Sequence, residues 1–194
     1  MKTVFVDVDT QLDFLYPAGA LYVPGAERIV PAIECLNRYA AAHGIPVLST
    51  ADAHTESDPE FATWPPHCIA GTTGQHKAAA TLLAKRVVVP NRDEDVSLQG
   101  AEQIILEKQT IDAFATRSLP RVLKTLSADR FVVYGVVTEI CVLCAARGLL
   151  TAKKQVVVVA DAVKELRSEE AARALDEIRA LGGSVSSLSE ICAG

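Results

Sequence analysis

"RFVVYGVVTEICVLCAARGLLTA", residues 130–152, decides the fold. Residues 130–137 form a continuous apolar run rich in β-branched and aromatic side chains, as in a strand covered on both faces. After Thr138 the spacing of apolar residues changes to that of a helix over 139–152. A buried strand passing directly into a helix is half of a parallel βαβ unit. Cys141 lies at the joint. With Thr138 as N-cap it would sit at N3, where unpaired N–H groups and the helix dipole favour thiolate over thiol. The same position suits a small buried hydrophobe.

The pattern repeats outward from this joint. Strands are expected at 3–8 ("TVFVDV"), 45–52 ("IPVLSTAD"), 102–109 ("EQIILEKQ"), 155–161 ("QVVVVAD") and 184–189 ("SVSSLS"), with helices at 26–44, 119–128, 139–152 and 168–183. Residues 53–100 read as irregular, with one helix-like patch at 75–84 ("QHKAAATLLA"). This alternation predicts an α/β fold: a three-layer αβα sandwich around a mostly parallel, doubly wound, six-stranded sheet, with residues 1–194 as one domain. In such sheets ligands bind beyond the carboxyl ends of the strands. Those ends carry Asp7 and Asp9, Asp52 and His54, Lys108, and Thr138 to Cys141.

Composition narrows the function. With 194 residues, 49% hydrophobic and 22% charged, the chain can bury a sizeable core, and its net charge of −5 supplies no basic stripe for nucleic acid or an anionic membrane. Aspartates interrupt the N-terminal "MKTVFVDVDTQLDF", no later apolar run spans a bilayer, and a cytoplasmic location is expected. Cys35, Cys68, Cys141, Cys144 and Cys192 are odd in number and irregular in spacing, which suits free thiols. Cys141 and Cys144 form a C-x-x-C without the usual Gly/Pro interior.

Three groups could carry chemistry. Lys108 ends an apolar strand and either snorkels to solvent or stabilises an anion at the rim. Of Asp7 and Asp9, one could cap the turn and the other move a proton to and from a thiol. Asp52 and His54, two apart in an extended segment, face one side; with Glu60 and His67 they make two carboxylates and two imidazoles, a set suited to zinc, iron or manganese. A hydrogen-bonded Asp-x-His pair without a metal fits the same spacing.

Together these stretches resemble the isochorismatase-like cysteine hydrolases, and among them the nicotinamidases. "DTQLDF" matches the D-x-Q-x-D-F element and puts the family's catalytic aspartate on Asp9; the family lysine falls on Lys108; "GVVTEIC" puts the nucleophile on Cys141. The resemblance implies a cis peptide between Val136 and Val137 that aims the N–H groups of Val137 and Cys141 at an oxyanion. "DAH" and "WPPHC" match the metal-binding members and imply Asp52, His54 and His67 as ligands, whereas Glu60 stands before Phe61 where many nicotinamidases carry a third histidine. The stretch "EKQTIDAFATRSL" has the generic family form. The implied activity is hydrolysis of nicotinamide to nicotinate and ammonia through a thioester, as in NAD salvage. One divalent metal, zinc before iron or manganese, would bind the ring nitrogen, Phe14 and Trp64 would form pocket walls, and the protein would form homo-oligomers. Three other readings share these residues. They are a relative acting on a ureido or carbamoyl compound, hydrolysis by metal-bound water, and a non-catalytic domain of the same fold.

Overall fold

A computed structural model describes residues 1–92 and 94–193. Seven strands form one sheet: β1 Thr3–Val8, β2 Val47–Asp52, β3 Arg86–Val89, β4 Gln103–Lys108, β5 Arg130–Val136, β6 Gln155–Lys164 and β7 Ser184–Ser186. Their order is β3-β4-β2-β1-β5-β6-β7, and every pairing is parallel. The α/β class and the doubly wound parallel sheet are as expected. The strand count is seven rather than six. The additional strand, β3, is a four-residue edge strand within the segment expected to be irregular, and its short "RVVV" lacks the helix punctuation that marks the others.

Among the described residues six α-helices flank the sheet: α1 Leu12–Leu15, α2 Val30–Ala42, α3 Leu119–Leu126, α4 Leu143–Thr151, α5 Ser168–Ala180 and α6 Leu188–Cys192. Side chains alternate along each strand, so one face of β1 offers Val4, Val6 and Val8 and the other Phe5. The first set packs with Leu119 and Val122 of α3, Ala146 and Leu149 of α4 and Ile178 of α5. Phe5, Val132 and Tyr134 pack with Ile33, Leu36 and Ala40 of α2 and Ile191 of α6. No helix among the described residues is long and apolar enough to cross a membrane.

Three local expectations change. The patch at 75–84 is not an α-helix; it contains only a three-residue 3-10 turn, Ala79–Thr81. Its alanines favour a helix, but Lys77 is drawn inward, with Nζ 3.3 Å from Asp7 Oδ2, and pairs antiparallel with Gln11. Beyond β7 the chain turns into α6, closed by a capping box in which Ser187 and Glu190 bond each other's backbone N–H groups. Thr138 is not an N-cap. Thr138–Val142 form one π-helical turn whose N-cap is Val137, with Val142 N donating to Val137 O at 3.1 Å. The Thr138 hydroxyl is buried and has no partner among the described residues.

The chain winds from β1 to β2, on to the edge strand β3 and back to β4, then crosses to β5 on the other side of β1 and continues to β6 and β7. The winding direction reverses between β1 and β5, so a crevice opens at their carboxyl ends.

Candidate functional site

Four adjacent strands each deliver one group to that crevice. Lys108 ends β4 and Asp52 ends β2, and the two are register partners. Asp9 follows β1, and Cys141 follows β5. Lys108 Nζ lies 2.5 Å from Asp52 Oδ1 and 2.9 Å from Asp9 Oδ2, with all three side chains buried. Asp9 has φ 49°, which turns its carboxylate out of the strand's alternation. Its Oδ1 accepts from Thr50 Oγ1 at 2.6 Å, while Oδ2, near the ammonium, has no well-directed hydrogen bond among the described residues. Asp7 belongs elsewhere: it accepts from Thr10 Oγ1 at 2.7 Å and Ser49 Oγ at 3.1 Å. It is the structural member of the pair.

Charge here follows from burial. Desolvation works against the Lys108 ammonium, but Asp52 and Asp9 outweigh it and hold its pKa well above the usual range. Burial raises the Asp9 pKa, opposed by the Lys108 charge. Asp52 is the reverse: burial pushes its pKa up, but Lys108 and His54 prevail and lower it. Burial also pushes the Cys141 thiol well above its ordinary range; Lys108 pulls it down, and Asp9 and Asp52 push it up. Burial outweighs the pull of Lys108, so the direction is opposite to the lowering expected from a helix start.

Beside this trio lies a second cluster. One ligand atom each from Asp52, His54 and His67 falls within 4.8 Å of the other two, and all three residues are buried. Three features fit a divalent ion. Asp52 Oδ2 is 3.8 Å from His54 Nε2 and 3.9 Å from His67 Nε2, slightly wider than the edges of about 3.3–3.6 Å that tetrahedral bonds of about 2.0–2.2 Å give. His54 Nε2 is buried without a hydrogen-bond partner among the described residues. Of the outer ring nitrogens, His67 Nδ1 is 2.7 Å from Pro65 O, which turns its Nε2 toward the cluster, and His54 Nδ1 is 3.1 Å from Asp58 Oδ2 without a well-directed hydrogen bond among the described residues. Glu60 Oε1 stands 3.9 Å from His67 Nε2 and 4.0 Å from His54 Nε2, adjacent to the three but outside their compact group.

Both clusters border one cavity with an empty volume of about 380 Å³. Asp52, Glu60, His67 and Cys141 line it, together with Val137 and the expected aromatic residues Phe14 and Trp64. Phe14 packs on His67 at a ring distance of 5.3 Å. The peptide between Val136 and Val137 is cis, as the resemblance implied. Sequence reasoning missed Leu21, Val23, Ile111, Ile140 and Leu166, apolar residues from separate segments that no pattern connects. It also missed Gln11, the Q of "DTQLDF". Its Nε2 donates to Asp52 O at 2.8 Å, and its Oε1 accepts from Asp52 N at 2.7 Å, clamping the backbone of a shared residue. Asp13, from the same motif, accepts from Cys68 N at 2.7 Å and Ala20 N at 2.9 Å and ties two loops together.

The profile of the Isochorismatase domain matches residues 3–190. A Bacillus subtilis protein described as an uncharacterized isochorismatase family protein, PncA, is 29% identical over 179 residues, covering 90% of this chain and 93% of that one. Among solved structures, Pyrococcus horikoshii pyrazinamidase in complex with zinc superposes with a TM-score of 0.80 at 26% identity, over 96% of this chain and 99% of that one. Bacillus subtilis nicotinamidase PncA gives 0.83 at 26% identity, over 96% and 99%.

Proposed function

The chain belongs to the isochorismatase family, and from the make-up of its site we propose that it is a metal-containing cysteine amidohydrolase converting nicotinamide to nicotinate and ammonia. The observation that carries this reading is one small apolar cavity with Cys141 on its wall, the Asp9–Lys108 pair behind the sulfur and Asp52 and His67 on the same wall system. No Lys or Arg lines the cavity among the described residues, and Lys108 is committed to two carboxylates. A substrate bearing its own carboxylate, as many ureido and carbamoyl compounds do, would find no basic side chain on the cavity wall. A neutral ring amide needs none.

In this mechanism Asp9 takes the Cys141 proton as the sulfur attacks the carboxamide carbon, with Lys108 offsetting the charge that the two carboxylates and the sulfur share. The backbone N–H groups of Val137 and Cys141 donate to the developing oxyanion; loss of one such donor typically costs about 2.7–4 kcal/mol of barrier. Asp9 passes its proton to the departing ammonia, leaving a thioester on Cys141. Water then attacks that carbonyl, Asp9 takes one water proton and returns it to sulfur, and nicotinic acid leaves, losing its carboxyl proton to solvent as nicotinate. Asp52, His54 and His67, with Glu60 adjacent, would hold the divalent ion, which when bound supplies a Lewis acid for the ring nitrogen. Phe14 and Trp64 would flank the ring.

Ammonia release from nicotinamide, assayed with and without chelator, tests the reading. Turnover that falls with chelator and returns with zinc, iron or manganese is expected. No release from any pyridine carboxamide by metal-loaded protein would end it.

A further inference from the structure

Glu139 lies in the π-helical turn two residues before Cys141, and its side chain reaches away from the sulfur to another element. Its Oε1 accepts from Leu166 N at 3.0 Å and from Arg167 N at 2.8 Å. Its Oε2 is buried with no partner among the described residues, so the bonding of this carboxylate is directed at that one strap. The strap is the three-residue link between Lys164, the end of β6, and Ser168, the start of the 13-residue α5. A carboxylate there meets the unpaired N–H groups and positive dipole end of α5.

Leu166 lines the cavity although it remains 40% exposed. An apolar side chain open to solvent on one side lacks the packing that would fix it, so its placement depends on its backbone, and that backbone is bonded to Glu139. The turn carrying Cys141 thus also holds the cavity's lip.

We propose that Glu139 is a positioning residue and Leu166 a specificity-determining one: by anchoring the 165–167 strap to the Cys141 turn, Glu139 sets Leu166 as a lip that limits the size of amide reaching the sulfur. The inference rests on the reading of Cys141 as nucleophile. It predicts selection by size: single-ring amides enter, and amides with a bulky ring substituent or a second fused ring are excluded. Discrimination of this kind by one apolar side chain is worth roughly 10–200-fold.

The test compares wild type with Leu166→Ala, Leu166→Trp, Glu139→Ala, Glu139→Gln and the double variant Glu139→Ala/Leu166→Ala. Two readouts are taken. One is kcat and KM for nicotinamide against a fused two-ring carboxamide. The other is the rate at which iodoacetamide and the larger N-phenylmaleimide label Cys141, mapped by peptide mass spectrometry. Leu166→Ala should shift preference toward the large amide and the large label by about tenfold or more. Leu166→Trp should shift it the other way with the strap intact. Glu139→Ala should move in the same direction as Leu166→Ala, mainly through KM. Glu139→Gln, whose side-chain oxygen still accepts both N–H groups, should keep the wild-type preference. In the double variant the Glu139 change should add nothing to Leu166→Ala, because it acts through that residue. Additive effects, equal damage from Glu139→Gln and Glu139→Ala, or unchanged size selection in both Leu166 variants would overturn the proposal. Labelling does not depend on substrate identity. Absence of turnover with any amide would count against the proposed activity, while the two maleimide and iodoacetamide rates would still decide the lip.

Discussion

At the scale of single residues the site is a matter of who holds which proton. Burial holds the Cys141 pKa well above the ordinary thiol range, with Lys108 pulling it down and Asp9 and Asp52 pushing it up, so in the proposed mechanism attack on an amide calls for a base beside the sulfur. Cys141→Ala should therefore abolish ammonia release while leaving the thermal midpoint within a degree or two, whereas Cys144→Ala should retain most activity; a Cys141→Ala enzyme that still turns over would point to metal-bound water as the nucleophile. The proposed metal site would likewise depend on a residue outside it. Asp58 Oδ2 faces His54 Nδ1 at 3.1 Å, and removing such an outer partner typically costs about 10–100-fold in metal affinity. Asp58→Ala should show that loss in a competition titration against a chelating dye, with Asp52, His54 and His67 all present.

At the scale of elements, the β1–β5 seam is the tightest constraint. Gly135 has φ 118°, and a Cβ there would lie 2.1 Å from Val8 O. Backbone, unlike a flexible side chain, cannot swing aside, so Gly135→Ala should force the two central strands apart just below Asp9 and Cys141. A loss of about 3 kcal/mol or more in urea-induced unfolding, with loss of activity, is expected. The expected strand at 184–189 overlooked the capping box of α6, Ser187 and Glu190, an S-x-x-E before an apolar pair. The helix-like patch at 75–84 misled because propensity is a weak prior, and the buried contact of Lys77 overrode it.

Across the whole molecule two buried ion pairs meet at one residue. Lys108 and Asp9 sit at the carboxyl ends of the strands beside the cavity. Lys77 and Asp7 lie under α2, where Asn37 links Asp7 to the Tyr134 hydroxyl at 3.3 and 2.5 Å. Thr50 touches both pairs: its hydroxyl donates to Asp9, and its carbonyl accepts from Lys77 Nζ at 3.3 Å. Breaking one buried pair leaves an uncompensated charge, so Lys77→Met should cost about 3–5 kcal/mol of stability by denaturant titration. The same variant should lower activity less than Lys108→Met, since Lys77 acts on the site only through Thr50.

The amino-acid order alone determined the parallel α/β architecture, because strands apolar on both faces and alternating with amphipathic helices have few other ways to bury themselves. It also determined which residue types stand at the strand ends: Asp9, Asp52, Lys108 and Cys141 each follow a readable strand. Only the tertiary structure decided how those ends share charge. Register sets Lys108 beside Asp52 as well as Asp9, so one ammonium is shared between two carboxylates next to Cys141. Likewise no spacing rule foretold that Gln11 would clamp Asp52, that Glu60 would stand just outside the compact trio, or that Glu139 would reach the Leu166 strap. Each of these depends on distances between segments far apart in the chain, and such distances exist only once the sheet has brought the segments together.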